Sequence, residues 1–138
     1  MGTYRALQYP GLVLAILLLL SCASMNEPKP YELSQPLSRL TMTIQTIVLF
    51  PEGGEPLSDD RLIEAAWRER PELMGYFQGL PIRVRRSGTD VVVLLCSPDG
   101  RYAWMEDASW TPGVDLEWHE IDPKRPAEFS LDPGVRHD

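Results

Sequence analysis

Hydrophobic residues are unevenly placed along this chain of 138 residues, and their spacing changes several times. Leu12 to Leu20, LVLAILLLL, is an unbroken apolar run that stops at Ser21-Cys22. A run this short fits the h-region of a secretory signal, because a membrane-spanning helix needs about 20 apolar residues. Residues 23–38, ASMNEPKPYELSQPLS, hold three prolines and few large apolar side chains, the composition of an extended tether. Between Leu40 and Phe50 the even positions read Leu40, Met42, Ile44, Thr46, Val48, Phe50, while the odd ones begin Thr41, Thr43, Gln45. That alternation, rich in β-branched residues, predicts a strand, half-buried first and buried on both faces later.

Pro51 to Pro56 ends the strand, and a helix follows. Ser58 stands at its N-cap, Asp59 and Asp60 in its first turn, and Leu57 and Leu62 at the staple positions. Pro71 breaks the helix or opens a second short one, and Gly79 closes it. Ile82 and Val84 then alternate with Arg83 and Arg85, a strand with one wet face. After a turn at Ser87-Gly88-Thr89, Val91 to Cys96 is wholly apolar, the mark of a central strand covered on both sides. Ser97-Pro98-Asp99-Gly100 has type I turn chemistry. Arg101 to Glu106 alternates again, with Tyr102 and Trp104 on one face, and Thr111-Pro112 opens a short helix through His119.

The expected order is β-α-(α)-β-β-β. That is an α+β domain: a small, mainly antiparallel sheet with one or two helices packed on one face. Its expected span is 39–121, with a loose C-terminal tail over 122–138.

Composition narrows the function. The chain is acidic, with a formal net charge of −7, and carries no Lys/Arg cluster apart from Arg83, Arg85 and Arg86. That argues against nucleic acid as a partner and against electrostatic binding to anionic lipid. There are two cysteines and two histidines, none at zinc-ligand spacing. DASWTPGVDLE misses the calcium-loop pattern, because its glycine falls at the seventh position from Asp107 and Trp118 stands where the closing glutamate belongs. Cys96, His119 and Asp115 make a conceivable thiol–imidazole–carboxylate set, but Cys96 ends an apolar run and reads as a buried hydrophobe. No G-x-S-x-G elbow or phosphate-cradling loop occurs. The expectation is a non-enzyme with no catalytic residues, cofactor or metal.

The N-terminal motif carries more. Leu19-Leu20-Ser21-Cys22 resembles the lipobox of bacterial lipoproteins, in which leucine, a variable residue and a small residue precede a modified cysteine. The resemblance implies a signal peptide over 1–21, cleavage before Cys22, diacylglycerol on its thiol, and a lipidated tether over 22–38. Two or three acyl chains would hold the protein at a membrane stably. Ala23-Ser24 lacks the aspartate that retains such proteins in the inner membrane, so the resemblance implies outer-membrane placement facing the periplasm where the host has two membranes.

The segment EDASWTPGVDLEWHE, 106–120, mixes two tryptophans with acids. Trp110 and Trp118, with Asp107 and Asp115, are the candidate partner- or ligand-binding residues, since loop aromatics anchor proteins or stack on sugar rings. Against this, a small domain commonly folds such aromatics into its core. The expected role is an interaction or accessory module for an envelope protein. The alternative is a small domain that binds or hydrolyses cell-wall sugar.

Overall fold

The computed structural model describes residues 29–110, 114–115 and 124–134. Four strands form one antiparallel sheet in sequence order: β1 Ile82–Ser87, β2 Asp90–Cys96, β3 Ala103–Ala108 and β4 Val114–Asp115. Helices α1 Ser34–Leu49, α2 Asp59–Glu69 and α3 Pro71–Met74 pack on one face of it. The chain is thus α+β, with its helices gathered on one side of an antiparallel sheet.

The first element departs from the expectation. Residues 40–49 of the predicted strand belong to α1, and Phe50 is its C-cap. Leu33, Leu37, Leu40, Thr41 and Ile44 recur at helical spacing and all are buried. The β-branched residues are accommodated by back-bonding: the hydroxyls of Thr41, Thr43 and Thr46 donate to the carbonyls of Leu37, Arg39 and Met42 at 3.0, 2.8 and 2.9 Å. The stretch expected as tether is also shorter than predicted. A 3₁₀ turn, Pro30–Leu33, leads directly into α1, and Leu33, Pro36 and Leu37 enter the core. Pro36 is the third residue of α1, where a backbone N–H has no intrahelical partner to lose.

Later elements follow the pattern closely. Ser58 precedes α2, its carbonyl accepting from the Arg61 and Leu62 N–H groups, and Leu57 packs on the core that holds Leu62. Pro71 opens α3. The β1–β2 hairpin turns at Gly88, whose φ of +59° suits the first central position of a type II′ turn. All of Val91 to Cys96 is buried. Gly100 closes the β2–β3 turn, donating to the Ser97 carbonyl at 2.8 Å. The register slips between Leu95 and Cys96, leaving Trp104 as a bulged extra residue. Trp104 joins the helix-side core while Ala103 turns to the other face.

That other face is not bare, and residues 124–134 of the expected tail are not loose. Residues 124–134 run across it as a strap. Ala103 N–H donates to the Arg125 carbonyl at 2.9 Å and Ala127 N–H to the Arg101 carbonyl at 3.0 Å. Ala127 and Phe129 cover Leu94 and Cys96. The expected basic patch divides accordingly. Arg83 donates to the Ala127 carbonyl at 2.7 Å and Arg85 stacks 4.5 Å from the Phe129 ring centre, whereas Arg86 turns to the helices and pairs with Asp59 at 3.1 Å. The short helix expected over 111–119 is also corrected in part: Val114 and Asp115 pair with β3 as a strand. The remainder of that stretch lies outside the described residues.

Candidate functional site

Strand β3 places adjacent carboxylates on opposite faces of the sheet, as strand geometry requires. Both are buried, Glu106 at 0 % exposure and Asp107 at 3 %, so neither is open to a ligand in solution, and Asp107 does not serve the binding role that the sequence suggests.

Glu106 faces the strap. Its carboxylate accepts from Ser130 N–H at 3.1 Å, from the Ser130 hydroxyl at 2.6 Å and from Leu131 N–H at 3.1 Å. Burial pushes its pKa up from the usual range, against the lowering effect of these bonds and of Arg125. The arrangement is a clasp that fixes the strap to the centre of the sheet.

Asp107 faces α1. Oδ2 accepts from the Ser38 hydroxyl at 3.3 Å, and Oδ1 is buried without a hydrogen-bond partner. Burial raises its pKa from 3.8 to about 6, opposed by the hydroxyls of Thr41 and Ser38 and by the Ala108 N–H. Thr41 helps only in part, since its single hydroxyl proton also serves the Leu37 carbonyl. This carboxylate is enclosed between helix and sheet, away from any ligand in solution.

The other sequence-selected residues are scattered. Trp110 is half-buried in the turn after β3. Asp115 is placed by its backbone pairing with Glu106. Trp118, His119 and Cys22 lie outside the described residues. Cys96 is fully buried beneath the strap, and burial pushes its thiol up, outweighing the charge of Arg83. Such a thiol is inert. We expect no reaction of Cys96 with an aromatic disulfide reagent in the folded protein and stoichiometric reaction in denaturant. Fast labelling of the native chain would show that the strap does not seal this face.

The concave surface lies instead along α1. A cleft of about 510 Å³ opens at its C-terminal end, where Ile47, Phe50, Leu57 and Ala65 meet Arg68 and Arg70. Two shallower grooves continue toward its N-terminus, one shared by Arg39, Met42 and Leu73 and the next by Tyr31, Arg39 and Tyr76. None of the three is lined by tryptophan. The exposed large apolar side chains of the described residues, Tyr31, Met42, Leu49, Phe50, Met74 and Tyr76, all belong to this helical layer. A strand over residues 40–50 hides Met42, Leu49 and Phe50: only on a helix do Arg39, Met42, Thr46 and Leu49 form one exposed stripe.

Among the described residues no three His, Cys, Asp or Glu side chains gather to hold a metal ion, and no helix is long and apolar enough to cross a membrane. No protein-family profile, curated protein or solved structure matches the chain.

Proposed function

We propose that this chain is a lipid-anchored protein of the bacterial cell envelope, outer-membrane-bound where two membranes exist. Its small α+β domain serves as a non-catalytic docking module for another envelope protein, of the assembly, pilot or inhibitor kind. The order of apolar run, small residue and Cys22 supports the anchor, and anchoring raises the local concentration of a binder at its surface. The observation that carries the docking role is Phe50. This side chain is 76 % exposed at the rim of the cleft at the C-terminal end of α1, beside Ile47, Leu57, Arg68 and Arg70. An exposed aromatic over an apolar floor with arginines at its edge has the make-up of an interface hot spot. The carboxylates in the segment chosen from sequence as a sugar site do not support that alternative, because Asp107 is enclosed between α1 and the sheet.

The test is crosslinking in intact cells, followed by mass spectrometry of what co-purifies with the lipidated protein. Phe50→Ser removes the rim aromatic at an exposed position and leaves the fold intact. We expect it to lower the yield of the stoichiometric partner about tenfold or more, while Glu128→Ser on the strap leaves that yield unchanged. Equal loss in both variants, or in neither, would remove Phe50 from the interface. An intact mass with no acyl addition at Cys22 would overturn the anchor.

A further inference from the structure

We propose that the surface running from the tether-side end of the helical layer to the middle of α1, with Tyr31, Met42, Met74 and Tyr76, rests on a lipid bilayer. This inference depends on the reading of Cys22 as the anchor.

Two observations meet here. The first is reach. The first turn of the described residues starts at Pro30, eight residues after Cys22. Fully extended, that chain spans at most about 28 Å. A domain of roughly 100 residues is itself about 30 Å or more across. The end where the chain enters therefore stays within about 28 Å of the membrane in every orientation. Had the tether run to residue 38, as its proline content suggests, the reach would double and this constraint would vanish.

The second observation is what that end displays. Tyr31 and Tyr76 line one shallow groove, Met42 and Leu73 the next, and Arg39 belongs to both. Met74 lies between Leu73 and Tyr76 in the chain. The four large side chains are between 46 and 59 % exposed. Tyrosines suit the boundary between headgroups and acyl chains, with ring inward and hydroxyl in water, and Lys and Arg beside them place apolar stems in lipid and charge outside. Lys29 sits 5.8 Å from the Tyr31 ring centre, in position for this. Lys29, Arg39 and Arg70 face Glu32 and Glu72, a net charge of only +1, so the surface has little attraction for anionic headgroups. Apolar contact alone would be too weak to recruit a free domain, but the anchor supplies the proximity. Phe50, the C-cap of α1, stands about 12 Å from Met42 along the helix axis.

The experiment uses the full lipidated chain with Met42→Cys or Met74→Cys, labelled with an environment-sensitive nitrobenzoxadiazole dye. Glu128→Cys on the strap is the control. Each protein is placed in phosphatidylcholine vesicles without any other protein, and quenching by nitroxide-bearing lipids is read. We expect the dye at 42 and 74 to shift to the blue and to be quenched at least about threefold more strongly than at 128. Contact should persist without anionic lipid. Acylated, vesicle-bound protein whose three labels are quenched equally weakly would overturn the docking surface and leave the anchor standing. The same overturning result would arise if sites 42 and 74 were covered only in cells, by a crosslinkable protein. Chains lacking acyl mass at Cys22 that do not float with vesicles would remove both readings together.

Discussion

Glu106→Ala is expected to lower the stability of the domain by about 3 kcal/mol and to detach the strap from the sheet. The Glu106 carboxylate is the common acceptor for Ser130 N–H, the Ser130 hydroxyl and Leu131 N–H. Alanine removes the acceptor, leaves part-buried donors without partners and opens a void beside Leu94, its cross-strand neighbour. Because burial raises the carboxyl's pKa, some desolvation cost is recovered on truncation, which keeps the loss below the sum of three charge-assisted bonds. Glu106→Gln should fall between. Its amide oxygen still accepts, but its NH₂ meets donors instead of acceptors. Two readouts separate the clasp from ordinary core packing. The urea midpoint reports global stability, and tryptic cleavage after Lys124 under native conditions reports the strap. We expect native cleavage to accelerate in Glu106→Ala while the helical layer keeps its hydrogen-exchange protection. A destabilised variant with an unchanged cleavage rate would mean that the strap is held by its backbone bonds to Arg101 and Ala103 instead.

The strap and its clasp were hidden from the sequence for one physical reason: both depend on contacts between distant parts of the chain. Residues 122–138 have the proline content and weak periodicity of a tail, and nothing local states that Ala127 and Phe129 cover Leu94 and Cys96. Likewise, Glu106 and Asp107 sit in a strand whose own pattern looks half wet. Only the strap on one side and α1 on the other make both buried. By contrast, the hairpin β1–β2, the turn at Gly100 and the helix entry at Ser58 rest on local chemistry, and these were legible.

The error at α1 is more instructive. Leu40 to Phe50 satisfies a period of 2 through its threonines and a helical period through Leu37, Leu40, Ile44 and Val48 together. Starting the count at Arg39, because prolines preceded it, removed Leu33 and Leu37 from view and left the strand pattern unopposed. Both prolines in question, Pro30 and Pro36, occupy helical first turns, where proline does no harm. The consequence reached function: the exposed stripe that carries Met42, Leu49 and Phe50 exists only on the helix, so the sequence directed attention to Trp110, Trp118, Asp107 and Asp115 instead. Of those four, Asp107 matters to the structure in a role that loop chemistry did not suggest.

Asp107 is expected to make this domain more stable at pH 5 than at pH 7.5, the reverse of ordinary acid sensitivity. Its carboxyl is raised from 3.8 to about 6 by burial, with Oδ1 unpartnered and only neutral hydroxyls, Ser38 and Thr41, facing it from α1. A group whose pKa is higher folded than unfolded binds protons preferentially in the native state. Its favourable contribution is complete below about 3.8 and is lost as pH rises through about 6. The whole effect is about 3 kcal/mol for a shift of about two units, and roughly half of it is regained at pH 5. Glu106, also raised, acts in the same direction. Asp99, which the Ser97 hydroxyl holds below its usual value, acts oppositely, but only as pH falls below about 3.8, outside this window. Asp107→Asn removes the ionisation while keeping the shape. It should raise the melting temperature at pH 7.5, by an amount worth about 1 kcal/mol once the amide's unpaired N–H is counted. The decisive readout is the slope. Between pH 4 and 7 the wild-type melting temperature should fall by several degrees, whereas Asp107→Asn should lose most of that dependence. If the slope survives the substitution unchanged, the proton is carried elsewhere, and Glu106→Gln in the same series would locate it. If both slopes vanish together, the two carboxylates titrate as one coupled pair through the β3 backbone that separates them.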